Sequence, residues 1–309
     1  MNRETGRPMG ADNQPDWMQQ AERSHALALR FMVWLSLTFG RRLGRVVLHG
    51  ITVYFLLFAP TARRASRAYL ERALGRHAGW SDGYRHVLAF ATSIHDRVYL
   101  LNDRFDNFEI QIRGEQLVRA ALAEGKGALL IGAHLGSFEV MRSVGWGMGA
   151  LKVAMLMYKD NARKLNATLA AINPRAMQDI IPLGRIESML EVRDKLDQGY
   201  LVGMLADRTL GDDETVMLDF LGHAAPFPIG PWRLAAMLQR PVFFMSGLYL
   251  GGNRYQVHFE PLADFSHLER SQRKAAIGKA MADYAACLSR YCRQAPYNWF
   301  NFFNFWRTK

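Results

Sequence analysis

The chain has 309 residues, of which 50% are hydrophobic and 22% charged, and this composition excludes a disordered or fibrous protein. Its formal net charge is +11, and residues 1–76 carry 12 arginines against five acidic residues. A basic front region of this kind attracts an anionic membrane surface, nucleic acid or an acidic protein. The only two cysteines, Cys287 and Cys292, stand in a predicted helix, too far around it to pair and too few to cage a metal ion. A reducing compartment fits this cysteine content best.

Two apolar runs follow a polar start. Residues 1–16 are polar, contain Pro8, Gly10 and Pro15, and are predicted to form a disordered tail. Residues 27–39 and 46–60 are apolar, and each run is shorter than the roughly 20 residues that a spanning helix needs. We interpret residues 27–60 as one or two amphipathic helices in a bilayer interface; the alternative is a buried helical hairpin that closes the core. In the interfacial interpretation anionic headgroups contact Arg41, Arg42, Arg45, Arg63, Arg64 and Arg67.

The pattern of elements changes near residue 107. Residues 16–101 have helical periodicity, whereas short apolar strands alternate with amphipathic helices from there on, which indicates an α/β sheet. The predicted division is a helical region at 17–106 and an α/β domain at 107–309. Predicted strands lie at 108–112, 128–133, 153–158, 180–181, 200–206, 242–250 and 255–259, and predicted helices lie at 115–123, 162–172, 186–196, after Pro231 and at 268–290.

The segment after the strand at 128–133 carries the first group of candidate catalytic residues. His134 stands at the carboxyl end of this strand, Gly136 permits a tight turn, and Ser137 can cap a helix whose first turn contains Glu139. With His134 in the turn, its imidazole and the Glu139 carboxylate can converge, and the carboxylate would then fix the tautomer of the ring. The segment predicts a general base, His134, oriented by Glu139. The alternative is that His134 ends a strand and Glu139 complements a helix dipole.

A second buried-type strand, at 201–206, ends in Asp207 and Arg208. Open α/β sheets bind their ligands at such strand ends, so Asp207 is predicted to bind an acceptor or support Arg208. Arg208 is predicted to pair with a phosphate or with a developing oxyanion. The alternative is a surface ion pair without a role in function.

Residues 219–228 are rich in proline and phenylalanine and are predicted to form a loop. This loop either walls an acyl-chain pocket or only packs on the core. The whole predicted substrate-binding set consists of Gly136, Ser137, Arg142, Asp207, Arg208, Phe220, Gly222 and Phe227.

These residues resemble a known family. His134 to Glu139 matches the H-x4-(D/E) motif of glycerolipid acyltransferases, and the surrounding HLGSFE is similar to the form in bacterial lipid A biosynthesis (lauroyl/myristoyl) acyltransferases. The segment 203–207, followed by 220–222 and by Gly-Pro-x-x-Leu-Ala at 230–235, resembles the second sequence block of that family. The aromatic segment from Pro296 resembles its usual ending, so the resemblance covers residues 17–306.

The resemblance implies a fold and an activity. The implied fold is a glycerolipid-acyltransferase-like mixed sheet flanked by helices, with a helical membrane-associated N-terminal region. The implied reaction moves an acyl chain from an acyl carrier protein or acyl-CoA thioester to a hydroxyl or amine of a lipid or glycolipid, with His134 as the general base and no metal or redox cofactor. The implied location is the cytoplasmic face of a bacterial inner membrane, as a monotopic or N-terminally anchored protein. An acidic carrier protein would suit the +11 charge.

Two departures from the family pattern keep the acceptor open. Arg208 follows Asp207 where lipid A enzymes commonly have Gln, and residues 61–76 keep a basic helix but lack the expected Asn-Leu and Phe-Pro pairs. An acyltransferase acting on another lipid or on a secondary metabolite therefore stays an alternative. A nonenzymatic lipid-binding or scaffold protein is the rival from another class, and a hydrolase is a weaker one. Nucleic-acid binding is the weakest, because apolar residues separate the arginines.

Overall fold

The computed structural model describes residues 16–140, 151–158, 168–169, 172–173, 179–183, 186–208 and 214–306. The side chains of residues 16–32, 35, 179 and 186 are outside this description. The predicted tail lies outside the described residues apart from Asp16, and so does most of the predicted helix at 162–172, of which residues 168–169 and 172 are helical.

Three helices form the front of the chain, as the periodicity predicts. They are α1 (Asp16–Phe58), α2 (Pro60–Leu74) and α3 (Trp80–Leu100). Gly40 kinks α1 into two helical parts, because its φ of 80° and ψ of 168° are not helical. Pro60 starts α2 at a position where the missing N–H leaves no hydrogen bond unmade, and Gly75, with a φ of 65°, ends it.

A buried polar cluster attaches α1 to the rest of the molecule. Arg41 donates to both carboxylate oxygens of Asp96 on α3 at 2.7 Å and to the carbonyl of Gly252 at 2.7 Å. Arg45 donates to the same Gly252 carbonyl at 2.7 Å. Arg41 and Arg45 are thus both hydrogen-bonded to protein groups, and a contact of either with lipid headgroups stays a prediction. Arg42 and Arg64 are exposed.

Seven strands of the described residues form one mixed sheet, which confirms the α/β prediction. The strands are β1 (Glu109–Arg113), β2 (Ala128–Gly132), β3 (Val153–Tyr158), β4 (Asp179–Leu183), β5 (Leu201–Leu205), β8 (Pro241–Tyr249) and β9 (Arg254–Asp264). Their order across the sheet is β1-β9-β8-β2-β5-β3-β4, and every neighbouring pair is parallel except β8 and β9. The helices around them are α4 (Glu115–Ala123), α5 (Ile186–Asp197), α6 (Gly230–Leu238) and α7 (Arg273–Gln294).

Strand β2 runs through the middle of the core, and all five of its residues are buried. Its alternate side chains enter two separate clusters: Leu129 and Ile131 pack in one, and Ala128 and Leu130 in the other. A strand covered on both faces reads as a continuous apolar run, which is why the sequence pattern located it.

The predicted loop at 219–228 is wrong. Residues 215–228 form a two-stranded antiparallel ribbon of β6 (Thr215–Phe220) and β7 (His223–Pro228). Leu221 and Gly222 make its two-residue turn with φ values of 55° and 83°, the conformation that a tight hairpin requires. Pro226 and Pro228 suggested a loop, but a two-stranded ribbon tolerates proline because each strand has an edge without a partner.

Among the described residues, no single helix has both the length and the apolar content to cross a membrane. Ser36–Phe58 and Pro60–Leu74 meet the length and composition test only as a pair, and they are bent by 98°.

Candidate active site

His134 and Asp207 meet at the carboxyl edge of the sheet. Strands β2 and β5 are parallel neighbours with Gly132 opposite Leu205, and each of the two site residues stands two positions beyond its strand. The Nδ1 atom of His134 lies 2.9 Å from Oδ1 of Asp207, and the backbone N–H of His134 donates to Oδ2 at 3.0 Å. The His134 side chain is 36% exposed, whereas that of Asp207 is fully buried. The imidazole therefore has one nitrogen held by the protein and a face open to solvent.

Asp207 is ionised in spite of its burial. Burial opposes the charge, but the adjacent His134 ring, the hydrogen bonds from His134 and the nearby charge of Arg208 outweigh it and lower the pKa of Asp207 to about 2. Oδ2 also accepts a hydrogen bond from Nε1 of Trp299 at 3.0 Å. An ionised carboxylate only accepts hydrogen bonds, so the neutral imidazole must carry its proton on Nδ1. The Nε2 lone pair of His134 is then available to take a proton.

Glu139 does not contact His134. Its Oε1 lies 2.6 Å from Nε of Arg97 on α3, and its Oε2 accepts a hydrogen bond from Ser137 Oγ at 3.2 Å. Asp207, and not Glu139 as predicted, is the carboxylate beside the His134 ring. The turn after Gly136 places Glu139 against α3, whereas β5 brings Asp207 to the ring. A catalytic requirement for Glu139 stays a prediction. Its contact with Arg97 holds the turn against α3.

Two glycines permit the close approach of this turn to β8. Gly136 has a φ of 73°, and a Cβ atom on it would lie 2.0 Å from the carbonyl oxygen of Gly247. A Cβ atom on Gly247 would lie 2.2 Å from the carbonyl oxygen of Ser137. The N–H of Ser137 donates to Gly247 at 2.8 Å, and that of Gly136 donates to the carbonyl of Asn298 at 2.8 Å. The N–H groups of Gly136 and Ser137 are therefore both used within the protein, and substrate binding by these two residues stays a prediction.

Arg208 is anchored by the C-terminal segment. Its Nη2 donates to the carbonyl of Phe300 at 2.7 Å, and its guanidinium carbon lies 5.3 Å from the centre of the Phe303 ring. Burial lowers the pKa of Arg208, an effect that the charge of Asp207 partly opposes. Arg208 is therefore held by the protein and partly buried, unlike the surface ion pair of the alternative interpretation.

The other predicted site residues are placed differently. Phe220 and Phe227 are fully buried in the core, where Phe220 packs 5.1 Å from the Trp299 ring and Phe227 5.4 Å from that of Phe305. Gly222 lies in the turn of the β6–β7 ribbon. Arg142 lies outside the described residues. Substrate contact by these four residues stays a prediction.

Sequence reasoning missed two residues that hold the site, Trp299 and Arg97. The aromatic ending that contains Trp299 was noticed as a pattern, but nothing local links it to Asp207, 92 positions earlier. No signal marks Arg97, which stands in an ordinary helical stretch.

The fold and the site define a class of protein. An exposed imidazole, held by a buried carboxylate at the carboxyl edge of an α/β sheet, can take a proton from an attacking group. The chain belongs to the bacterial lipid A biosynthesis acyltransferase family, whose sequence model matches residues 28–308, nearly the whole chain. It is therefore an acyltransferase of lipid A biosynthesis or of a related reaction. A comparison with curated proteins finds no match.

Proposed function

We propose that this acyltransferase moves a fatty-acyl chain from an acyl carrier protein or acyl-CoA thioester to a hydroxyl or amine of a lipid or glycolipid, with His134 as the general base. The observation that carries the proposal is the pairing of an exposed imidazole with a buried, ionised carboxylate. Family membership supports acyl transfer in general, and the pairing supplies the residue that would remove the acceptor proton.

In the proposed reaction, acceptor and thioester occupy the site together. Nε2 of His134 takes the proton of the acceptor group, whose oxygen or nitrogen then attacks the thioester carbonyl. The tetrahedral intermediate collapses as the carbon–sulfur bond breaks, and the imidazolium returns its proton to the departing thiolate. Asp207 stabilises the imidazolium through the 2.9 Å contact with Nδ1.

Arg208 is the proposed stabiliser of negative charge. Its guanidinium adjoins Asp207, the positioning partner of His134, and it is held by the carbonyl of Phe300. A fixed, partly desolvated cation at this place can bind the developing oxyanion or a phosphate of the acceptor. Changing Arg208 to Gln, the residue common in lipid A enzymes, separates these roles. Loss of turnover with every acceptor supports the oxyanion role, and loss confined to phosphorylated acceptors supports phosphate binding.

The outer face of α1 supports a membrane-surface location. Val46, Tyr54 and Phe58 are 66%, 65% and 69% exposed, and Trp80 at the start of α3 is 63% exposed. Further exposed apolar side chains of α1 are Trp34, Phe39, Leu43, Val47, Ile51, Val53 and Leu57. So many exposed apolar side chains on one helix are unusual for a monomeric soluble protein, and the exposed Arg42 and Arg64 suit anionic lipid. We place this face on the cytoplasmic side of a bacterial inner membrane.

Liposome flotation tests the membrane part of the proposal. The double variant Leu57→Glu, Phe58→Glu should lose flotation with phosphatidylglycerol-containing vesicles, because two carboxylates would have to enter the apolar interface. Leu190→Glu is the matched control: Leu190 is also exposed, at 58%, but lies on α5. Equal flotation of both variants would contradict a docking role for α1.

Lipidomics of a deletion strain tests the reaction and finds the acceptor. The strain should lack an acylated product that the wild-type gene restores and a His134→Ala gene does not. A missing acylated lipid A species would identify a lipid A enzyme, and another missing lipid or secondary metabolite would identify the alternative acceptor. Restoration of the product by the His134→Ala gene would reject His134 as the base. Purified protein supplied with acyl-CoA and acyl carrier protein thioesters then separates the two donors.

A further inference from the structure

The segment 298–300 holds both sides of the turn that carries His134. The carbonyl of Asn298 accepts a hydrogen bond from Gly136 N at 2.8 Å, and the N–H of Phe300 donates to the His134 carbonyl at 2.9 Å. The Asn298 side chain in turn bonds to the backbone of Tyr249, accepting from its N–H at 2.7 Å and donating to its carbonyl at 3.0 Å. The backbone of this segment is therefore part of the active-site framework.

Trp299, the residue between these two contacts, reaches the carboxylate behind His134. It is fully buried, and its indole Nε1 donates to Oδ2 of Asp207 at 3.0 Å. Its carbonyl accepts a hydrogen bond from Nε2 of His86 on α3 at 2.9 Å. Ring contacts fix the indole further: Tyr69 of α2 lies 4.9 Å away and Phe220 of β6 lies 5.1 Å away, measured between ring centres.

The two oxygens of Asp207 have different tasks. Oδ1 faces the imidazole Nδ1, while Oδ2 accepts from the His134 backbone and from Trp299. The two donors on Oδ2 fix the plane of the carboxylate and so keep Oδ1 directed at the ring. Hydrogen bonds to a carboxylate also stabilise its charge and lower its affinity for a proton.

We propose that Trp299 is a positioning residue for the acyl transfer, acting through Asp207 on His134. The proposal rests on the proposed function of His134 as the base. Without the indole N–H the carboxylate would be less fixed in orientation and would attract a proton more strongly. A more basic carboxylate would bind the Nδ1 proton of the ring more strongly, so the acid limb of the pH–rate profile would lie at higher pH. The other titratable groups near Asp207 in the described structure, Arg208, Tyr284 and Cys292, are unchanged by such a substitution.

Trp299→Phe removes the N–H and keeps an aromatic ring, and Trp232→Phe is a matched control. Trp232 is also fully buried, but its indole nitrogen has no hydrogen-bond partner among the described residues. Both full-length variants are assayed for thiol release from the thioester donor that the wild type uses, with the deletion strain's lipid extract as acceptor. We expect Trp299→Phe to lower kcat by about 10–100-fold, with little change in the KM for the donor. We also expect the acid limb of its pH–rate profile to move to higher pH, and Trp232→Phe to leave that limb in place.

A Trp299→Phe profile that coincides with that of Trp232→Phe would overturn the proposal. If Trp299→Phe does not fold, incorporation of benzothienylalanine at position 299 decides the question, because sulfur replaces the N–H in a side chain of nearly the same shape. An unchanged acid limb in that protein would overturn the proposal, and an upward move would support it. His134→Ala, run in parallel, keeps the two hypotheses apart: an active His134→Ala rejects the proposed function, whereas an inactive one with unmoved Trp299 profiles rejects only the role of Trp299.

Discussion

Replacing Asp207 with asparagine exchanges one carboxylate oxygen for an NH2 group at nearly constant volume. Oδ2 accepts two hydrogen bonds, from the His134 backbone and from Trp299, so the remaining amide oxygen should take that place. The NH2 group then faces Nδ1 of His134, where Oδ1 stood at 2.9 Å. A donor facing Nδ1 favours the tautomer with its proton on Nε2, which removes the lone pair that would accept the acceptor proton.

The expected loss of activity follows from two effects. A hydrogen bond to a charged group contributes about 1.5–3 kcal/mol, which is about 10–150-fold in rate if it is made fully only to the imidazolium. The inverted tautomer adds to this, and the corresponding substitution in a serine-protease triad lowers kcat by about 10⁴-fold. We therefore expect Asp207→Asn to lower kcat by about 10²–10⁴-fold.

Asp96→Asn is the matched control for Asp207→Asn. Asp96 is also a fully buried carboxylate, but its partners are Arg41, Tyr255 and His95 instead of His134. Both variants are assayed for acyl transfer and for unfolding by circular dichroism in the same detergent. Asp96→Asn should unfold more easily and keep most of its kcat. A folded Asp207→Asn protein whose kcat stays within about threefold of the wild type would refute the reasoning.

Three further outcomes are expected. Gly136→Ala should abolish activity and lower the unfolding temperature, because the new Cβ atom would lie 2.0 Å from the carbonyl oxygen of Gly247. Gly278→Ala is the control and should be neutral or stabilising, because its new Cβ atom would have no neighbour within 4 Å. Arg41→Ala should destabilise the fold by about 3–5 kcal/mol in denaturant unfolding, since it leaves the buried carboxylate of Asp96 without its arginine partner. The exposed Arg42→Ala should change stability by less than about 0.5 kcal/mol. The pKa of Asp207 is about 2 against an ordinary value of 3.8, so its carboxylate stabilises the fold above about pH 4 by about 2 kcal/mol, and this contribution is lost as the pH falls toward 2. The difference in unfolding free energy between wild type and Asp207→Asn should accordingly shrink between pH 5 and 2, and a difference that stays constant would contradict the ionisation of Asp207 in the folded protein. An Arg41→Ala protein as stable as the wild type would contradict the stabilising role of the Arg41–Asp96 pair. An active Gly136→Ala protein would contradict the need for glycine beside Gly247.

The strands that the sequence located are those whose pattern is local and continuous. β2 is buried on both faces and reads as an unbroken apolar run, and β3 coincides with the predicted 153–158. The ribbon of β6 and β7 was missed because its prolines suggest a loop when each strand is considered alone. Its pairing is visible only once Phe220 stands opposite His223 across a two-residue turn.

The position of the site could be predicted from the sequence, but the partner of His134 could not. The rule that ligands bind at the carboxyl ends of parallel strands placed His134 and Asp207 at the same edge. It could not say which carboxylate touches the imidazole, since Glu139 is five positions away and Asp207 is 73 positions away in sequence. That choice depends on the register of β2 against β5, with Gly132 opposite Leu205, and on Arg97 drawing Glu139 toward α3. Sequence spacing contains neither piece of information.

Single-turnover acyl transfer by His134→Ala tests the central claim most directly, because it measures the chemical step apart from donor binding and product release. With saturating thioester donor and lipid extract as acceptor, the rate constant should fall by about 10²–10⁴-fold while the affinity for the donor stays near that of the wild type. A rate constant within a few-fold of the wild-type value would contradict the claim that the imidazole of His134 removes the acceptor proton.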